Sequence, residues 1–148
     1  MSRGKAQNVP FGFVELPAGR SQQKPRRTGL TMVADFGLPY MQAEDMATMA
    51  GRYIDLAKIA VGTSRLYDLA YLRKKLALYR RHKIRPFIGG QFQEYVFATY
   101  GEKMLRPFLT EAKRVGFDVV EISASAARRS ASPANAGLPY SAKWDRRT

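Results

Sequence analysis

The apolar positions of this chain form four short runs, and apolar residues between the runs recur every three or four positions. The runs lie at residues 30–35, 54–61, 85–90 and 117–123. Each has the length of a single strand, and the second is almost unbroken, which is typical of a parallel strand covered on both faces. The spacing between runs predicts helices over 41–53, after Asp68, and over 91–115 with a break near Gly101.

This alternation predicts an α/β fold with the element order β-α-β-α-β-α-β. The connections between strands are short enough for right-handed parallel crossovers. Glu44 and Asp45 lie in the first turn of the first helix, and Gly116 follows the last helix, where a C-terminal glycine cap belongs. Both features support the predicted helix boundaries.

Lys58 interrupts the second apolar run, and Gly62, Thr63 and Ser64 close it. An ammonium group in such a run must be solvated, paired or chemically employed, because an unpaired buried charge costs several kcal/mol, on the order known for buried ions. The Gly-Thr-Ser turn offers N–H and hydroxyl groups at the carboxyl end of the strand, where α/β folds place their chemistry. Structural pairing with a carboxylate and a catalytic role for Lys58 both remain open.

Strand alternation groups the candidate carboxylates. It places Thr31, Val33 and Asp35 on one face of their strand. It likewise places Val119, Glu121 and Ser123 on one face. If these faces line a barrel lumen, Asp35, Lys58 and Glu121 converge near its mouth.

Paired glycines and one charged helix face each allow two interpretations. Gly89 and Gly90 permit close backbone approach of a ligand, but they also suit a simple strand-to-helix turn. The second helix has an apolar stripe on one side. The basic residues on its other side favour a solvated face over a polyanion-binding surface. These basic residues are Arg73, Lys74, Lys75, Arg80 and Arg81.

Composition limits the classes of function that need consideration. The 148 residues suit one domain, carry a net charge of +13 and include no Cys, so thiolate chemistry and disulfides are excluded. No apolar run is long enough to span a membrane, and we expect a cytoplasmic protein. Much of the basic excess lies in a lead-in segment, 1–28, and in an Ala-, Ser- and Arg-rich tail, 124–148. Because these ends read as poorly ordered, nucleic-acid binding is disfavoured.

Five sequence blocks between residues 29 and 123 together resemble the phosphosulfolactate synthase family. The blocks are Gly29-Leu30-Thr31 with Asp35-Phe36-Gly37-Leu38, Tyr53-Ile54-Asp55 with Lys58, Gly62-Thr63-Ser64, Gly89-Gly90 with Glu94, and Gly116-Phe117 with Val120-Glu121-Ile122-Ser123. The resemblance implies a TIM-type (β/α)8 barrel that adds sulfite to phosphoenolpyruvate with Mg²⁺, as in coenzyme M biosynthesis. Related barrels include plant heat-stress-associated proteins.

The resemblance also implies roles for individual residues. Lys58, Glu94 and Glu121 become the catalytic candidates, and Asp35 and Glu121 become the candidate metal ligands. The expected substrate-binding residues are Thr63, Ser64, Gly89, Gly90 and Ser123.

Two departures from the family pattern shape the remaining expectations. Gln91 stands where the synthases carry Thr after the glycines, and this difference leaves the exact substrate open. The tail 124–148 resembles no part of the family, so we expect only the first half of a barrel in 29–123. We expect a truncated or frame-shifted copy in preference to a tail acquired for function. Open sheet edges then favour a homo-oligomer. The alternatives are a non-catalytic barrel fragment or heat-stress-associated relative that acts through protein partners, and a basic polyanion-binding protein.

Overall fold

A computed structural model of the protein describes residues 10–14 and 23–123. A four-stranded parallel sheet in the order β1-β2-β3-β4 alternates with helices. The predicted α/β class and its relation to a partial TIM-type barrel are therefore confirmed. The elements are β1 (Met32–Asp35), α1 (Tyr40–Ala50), β2 (Leu56–Ile59), α2 (Leu69–Arg81), β3 (Arg85–Ile88), α3 (Gly90–Tyr100), α4 (Leu105–Val115) and β4 (Val119–Val120).

The helices cover one face of the sheet, and the strand alternation decides which side chains reach it. Ala57 and Ile59 of β2 and Ile88 of β3 are buried in the core on this face. Leu56 and Lys58 point to the other, open face. The register aligns Lys58 with Ala34, Phe87 and Val119 on that open face.

Strand β1 differs from the sequence expectation in the direction of its side chains. Val33 is aligned with Ala57 and packs against the core, while Met32 and Ala34 occupy the open face. The predicted lumen set of Thr31, Val33 and Asp35 is thus wrong for β1. Both alternating sets of β1 contain apolar residues, so alternation by itself did not distinguish the two faces.

Helix α2 supplies much of the core through Leu72, Leu76 and Tyr79. Lys75 lies within this buried stripe and has no exposed surface, so its expected place on a solvated helix face is wrong. The remaining basic residues of that predicted face are exposed. Lys75 follows Leu72 by three positions and precedes Tyr79 by four, a spacing that places it on the buried side.

Part of the expected lead-in segment packs against the domain. Arg26 forms a buried ion pair with Asp55, at 3.0 Å between Nε and Oδ2, and the same oxygen accepts the Thr31 N–H at 2.9 Å. The Lys24 ammonium donates to the carbonyls of Gly51 and Ile54. These contacts join residues 24–26 to the start of β2.

The helix ends follow the sequence signals. Gly116 takes a left-handed conformation at φ 116° and caps α4, with its N–H donating to the Ala112 carbonyl at 3.1 Å. Gly101 separates α3 from α4 as predicted. In the described ranges, no helix is long and apolar enough to cross a membrane. The tail 124–148 and most of 1–22 lie outside the described residues, and with them the predicted polyanion-binding ends.

Candidate active site

An ion pair between Lys58 and Glu121 lies at the carboxyl end of the sheet. The Nζ and Oε2 atoms are 2.7 Å apart, and the two side chains are 20% and 37% exposed. Lys58 comes from β2 and Glu121 from the residue after β4, so the pair spans the end of β3. The structure thus brings together two of the three residues that were expected to converge.

The glycines that end β3 make room for this pair. A Cβ added to Gly89 would lie 2.9 Å from Cε of Lys58, and one added to Gly90 would lie 2.5 Å from Cβ of Ser123. Real Cβ atoms essentially never show such contacts. Gly89 and Gly90 therefore let side chains of the site cross the end of β3, which is a third use beside the two expected from sequence.

Glu121 is held as a carboxylate by its surroundings. Partial burial raises its pKa, but the Gly90 N–H, which donates to Oε2 at 2.8 Å, and the Lys58 ammonium outweigh burial and lower the pKa overall. Gly90 is the first residue of α3, where the helix dipole also favours a negative charge. The negative charge of nearby Glu94 acts in the opposite direction.

Glu94 and Ser123 form the inner side of the site. Glu94 is buried, at 8% exposure, and its carboxylate accepts a hydrogen bond from the Ser123 hydroxyl. The Ser123 N–H donates to Oε1 of Gln93 at 3.4 Å. Sequence reasoning did not select Gln93. Its position next to Glu94 on α3, facing the end of β4, was the available signal.

Asp35 lies on the helix side of the sheet, away from the open face that holds Lys58. Its Oδ2 lies 2.7 Å from the Lys75 ammonium and accepts from the Tyr79 hydroxyl at 2.6 Å. Its Oδ1 accepts the N–H groups of Gly37 and Leu38 at 2.9 and 2.8 Å. The expected convergence of Asp35 with Lys58 and Glu121 is therefore wrong, because protein donors surround its carboxylate on the opposite face.

Thr63 and Ser64, in the turn after β2, were expected to bind substrate, but their hydroxyls do not contact the Lys58–Glu121 pair. The Thr63 hydroxyl donates to the Ala60 carbonyl at 2.9 Å and so stabilises the turn. Ser64 lines an apolar cavity of about 350 Å³ beside Phe92 and Phe108, on the helix side of the sheet. Its Oγ is buried and has no hydrogen-bond partner among the described residues.

The carboxylates near Lys58 suit a hard metal ion only as a partial ligand set. Across residues 10–14 and 23–123, no group of three or more His, Cys, Asp or Glu could hold a metal. Glu94 and Glu121 interact electrostatically, and Ser123 bonds to Glu94. Mg²⁺ commonly takes one or two carboxylates and completes its shell with water and substrate phosphate. These oxygen donors therefore fit Mg²⁺ if substrate supplies the rest.

The fold and the site define a class of protein: a parallel β/α protein related to part of a TIM-type barrel, with a lysine–carboxylate pair at the carboxyl end of its sheet. A family model described as (2R)-phospho-3-sulfolactate synthase (ComA) matches residues 19–132. The match covers well over half of the chain. The chain therefore belongs to the phosphosulfolactate synthase family.

Curated relatives agree with this assignment. The chain is 38% identical over 95 residues to a phosphosulfolactate synthase of Methanocaldococcus jannaschii, covering 64% of this chain and 37% of the relative. It is 33% identical over 100 residues to a synthase of Methanothermobacter thermautotrophicus, covering 68% and 38%. It is also 33% identical over 111 residues to a Bacillus subtilis synthase, covering 74% and 41%. The chain thus spans less than half the length of these relatives.

Proposed function

We propose that the Lys58–Glu121 site serves the addition of sulfite to phosphoenolpyruvate, which gives (2R)-phospho-3-sulfolactate. The observation that carries the proposal is the 2.7 Å contact between these side chains at the carboxyl end of the sheet, in a chain of this family. Active sites of such barrels lie at that end. The membership of the chain in the family does not depend on this proposal.

The reaction requires one carbon–sulfur bond and one proton. The sulfur lone pair of sulfite attacks the terminal methylene carbon of phosphoenolpyruvate, and the electrons of the double bond move toward the carbon that bears the phosphate. Conjugation with the carboxylate spreads this charge as an enediolate. A proton then adds to that carbon and completes the product.

Lys58 is the proposed proton donor. Its ammonium is partly exposed at the open face, so a substrate could approach it, and a positioned acid typically contributes about 10²–10⁴-fold to rate. Glu121, whose pKa is lowered, remains ionised and orients the ammonium. In this scheme Gly90 is a positioning residue, since its N–H holds Glu121 and its lack of a Cβ admits Ser123.

Mg²⁺ belongs to the same proposal, with Glu94 and Glu121 as the residues that would hold it. When bound, the ion would stabilise the negative charge that develops on the substrate carboxylate. Asp35, the other expected ligand, is replaced by Glu94 in this assignment because Lys75 and Tyr79 engage its carboxylate.

A chimaeric barrel tests the function most directly. Residues 23–123 of this chain would replace the matching part of the Bacillus subtilis synthase, which supplies the remainder of a barrel. The expected result is consumption of phosphoenolpyruvate that depends on both sulfite and Mg²⁺, with phosphosulfolactate observed by ³¹P NMR. The unmodified Bacillus subtilis protein is the positive control.

A chimaera that folds, as judged by circular dichroism and a cooperative thermal transition, but forms no product with sulfite would contradict the proposal. Substituting Thr for Gln91 in the same chimaera then asks whether this position excludes the substrate. The expected truncation stays a prediction, which the nucleotide sequence downstream and in the other reading frames would test.

A further inference from the structure

The apolar cavity of about 350 Å³ lies among helices α2, α3 and α4, on the helix side of the sheet. Its walls come from these three helices and from β3, through Leu72, Ile88, Val96 and Ala112. All lining residues fall between positions 64 and 117, so described residues form the walls. The cavity is therefore separate from the candidate active site, which lies on the open face of the sheet.

Two aromatic rings form one wall of the cavity. The centroids of Phe92 and Phe108 are 5.3 Å apart, and the rings meet edge to face at 87°. Aromatic rings prefer such edge-to-face or offset contacts, so the ring of a ligand can extend this pair. The cavity is about twice the size of one of roughly 150 Å³ that holds benzene. It therefore has room for two fused rings.

Ser64 is a polar residue in this apolar lining. The residue is 9% exposed, and its Oγ has no hydrogen-bond partner among the described residues. Burial of a hydroxyl group without a hydrogen bond is unfavourable, and a ligand that bonds to it removes this cost. Rotation about χ1 between staggered rotamers turns Oγ without breaking a bond to another described residue. The hydroxyl can therefore serve a ligand in the cavity.

The charged residues of the lining favour an anionic ligand. Arg65 is exposed, and its guanidinium has no hydrogen bond or ion pair to another residue that the structure describes. Glu111 already accepts two hydrogen bonds from Arg114, each at 2.6 Å, so its negative charge is compensated. A guanidinium group binds carboxylates well, because its planar N–H groups match the two carboxylate oxygens.

We propose that this cavity binds an aryl carboxylate, a small molecule with one or two fused rings and one carboxylate group. The rings lie against Phe92 and Phe108, and the carboxylate accepts hydrogen bonds from the Ser64 hydroxyl and the Arg65 guanidinium. Ser64 and Arg65 are neighbours in the turn after β2, and both line the cavity, so one carboxylate can reach both donors. The site does not depend on the proposed synthase reaction.

Ligand titration of the full 148-residue chain, followed by ligand-detected NMR, provides the first test. The probe is 2-naphthoate, and its roughly 13 non-hydrogen atoms predict a dissociation constant of about 1 mM or tighter at the efficiency of drug-sized ligands. The neutral analogue 2-naphthalenemethanol keeps the rings and should bind at least about tenfold more weakly, because it loses the charge-assisted hydrogen bonds. Acetate, a carboxylate without rings, should show no binding in the same range.

Substitutions of the two donors locate the site. Ser64→Ala should weaken 2-naphthoate binding about tenfold, as expected for a hydrogen bond to a charged group. It should not lower the urea midpoint, since Oγ bonds to no other described residue. Arg65→Gln should weaken binding about threefold, because this guanidinium is exposed. The matched control is Arg27→Gln, an exposed charge next to Arg26 at the amino end of the sheet, which should leave the affinity unchanged.

A larger side chain in the cavity provides an independent variant. Val96→Phe adds a ring to the wall formed by α3 and should abolish binding of 2-naphthoate, while circular dichroism stays unchanged. If this variant does not fold, Ser64→Ala decides the question, because it removes only an unbonded hydroxyl.

Three outcomes would overturn the inference. The first is no binding of 2-naphthoate at concentrations up to about ten times the expected dissociation constant. The second is equal affinity for 2-naphthalenemethanol, which would assign the cavity to neutral apolar molecules. The third is unchanged affinity in Ser64→Ala, which would place the bound anion elsewhere on this basic chain. None of these measurements uses phosphoenolpyruvate or turnover, so they remain separate from the test of the synthase reaction.

Discussion

The Lys75 ammonium lies 2.7 Å from the Asp35 carboxylate, and neither side chain has any exposed surface. Lys75 also donates to the Leu38 carbonyl, while Asp35 accepts the Leu38 N–H. The ion pair therefore fixes the loop between β1 and α1 from both sides. Burial and the hydrogen bond to Asp35 raise the pKa of Tyr79, so its hydroxyl remains a donor to that carboxylate.

Lys75→Met should destabilise the fold strongly, because it leaves the Asp35 charge buried without its cation. Removing one partner of a buried ion pair typically costs about 3–5 kcal/mol. The matched control is Lys74→Met on the same helix, where the ammonium lies 4.3 Å from the centre of the Tyr40 ring and is otherwise exposed. That control should lose at most about 1 kcal/mol.

Urea unfolding followed by circular dichroism measures both variants. Similar losses for Lys74→Met and Lys75→Met would contradict the structural role of the pair. In the double variant Asp35→Asn, Lys75→Met, part of the lost stability should return, since no unpaired charge remains and the amide oxygen still accepts hydrogen bonds.

Gly90→Ala should destabilise the protein because the added methyl group crowds the site, not because it disturbs helix α3. Its Cβ would lie 2.5 Å from Cβ of Ser123 and 3.2 Å from Cγ of Glu121, and overpacking of this kind costs about 1–3 kcal/mol. Gly51→Ala is the control, since its Cβ would meet His82 only at ordinary contact distance, 3.5 Å, with a helical φ of −56°.

Thermal unfolding of Gly90→Ala and Gly51→Ala separates the cost of crowding at the site from the general effect of adding a methyl group. A lower midpoint for Gly90→Ala with an unchanged one for Gly51→Ala is expected. Equal midpoints would mean that the contact between Gly90 and Ser123 relaxes without cost.

Glu121 should make stability depend on pH in the acid range. Its pKa in the folded protein lies below the ordinary value of 4.5, so its contribution is present above that value and is lost as pH falls through the lowered pKa. The natural chain should therefore exceed Glu121→Gln in stability near neutral pH, and the difference should shrink in acid.

Urea midpoints of both proteins between about pH 3 and pH 7 measure this dependence. Glu111→Gln is a useful comparison, because the hydrogen bond from Arg114 lowers the pKa of that exposed carboxylate away from the site. A stability difference for Glu121→Gln that grows toward low pH has the wrong sign and would refute the assignment.

The segment at residues 24–26 should be required for full stability. A chain that starts at residue 28 loses Arg26 and leaves Asp55, which is 4% exposed, without its ion-pair partner. We expect it to be about 3–5 kcal/mol less stable than a chain starting at residue 23, as for other broken buried pairs. The substitution Arg26→Met in the longer chain should reproduce most of that loss. Equal denaturation midpoints for both starting points would place the boundary of the folded unit at residue 28.

Lys58→Met should abolish turnover of the chimaeric enzyme with little effect on folding. The pair with Glu121 is partly exposed, so its loss should cost no more than about 1 kcal/mol. Loss of a proton donor should lower kcat about 10²–10⁴-fold. Lys113→Met on the exposed face of α4 is the control for charge removal. Unchanged kcat in Lys58→Met would remove Lys58 from the mechanism.

Element order and helix ends could be predicted from the sequence because they depend on local periodicity and local backbone chemistry. Strand-length apolar runs and helical spacing marked the four strands and four α-helices of the described residues, and Gly116 marked the end of α4. The contact between Lys58 and Glu121 could also be expected from the sequence. Both residues follow the apolar part of a parallel strand, and the carboxyl ends of parallel strands meet at the same end of the sheet.

Tertiary packing alone decided the positions of Asp35 and Lys75. Alternation fixes which residues of a strand share a face, but not whether that face meets the helices or the open side. In β1 the register with β2 made this choice and directed Val33 and Asp35 toward the helices. The buried carboxylate then requires a cation, and Lys75 supplies it from within an apolar stripe.

Gly90 and Arg26 also have partners that are distant in the sequence, and local periodicity could not predict these contacts. Gly90 is required by Ser123, which is more than thirty positions away, and Arg26 is paired with Asp55 at the start of another strand. Periodicity acts over a few neighbouring residues, whereas these pairs form only after the strands are aligned. The sequence therefore determined the elements and the end of the sheet that carries the site. The folded chain decided which side chains meet there, because only packing brings distant charges within contact distance.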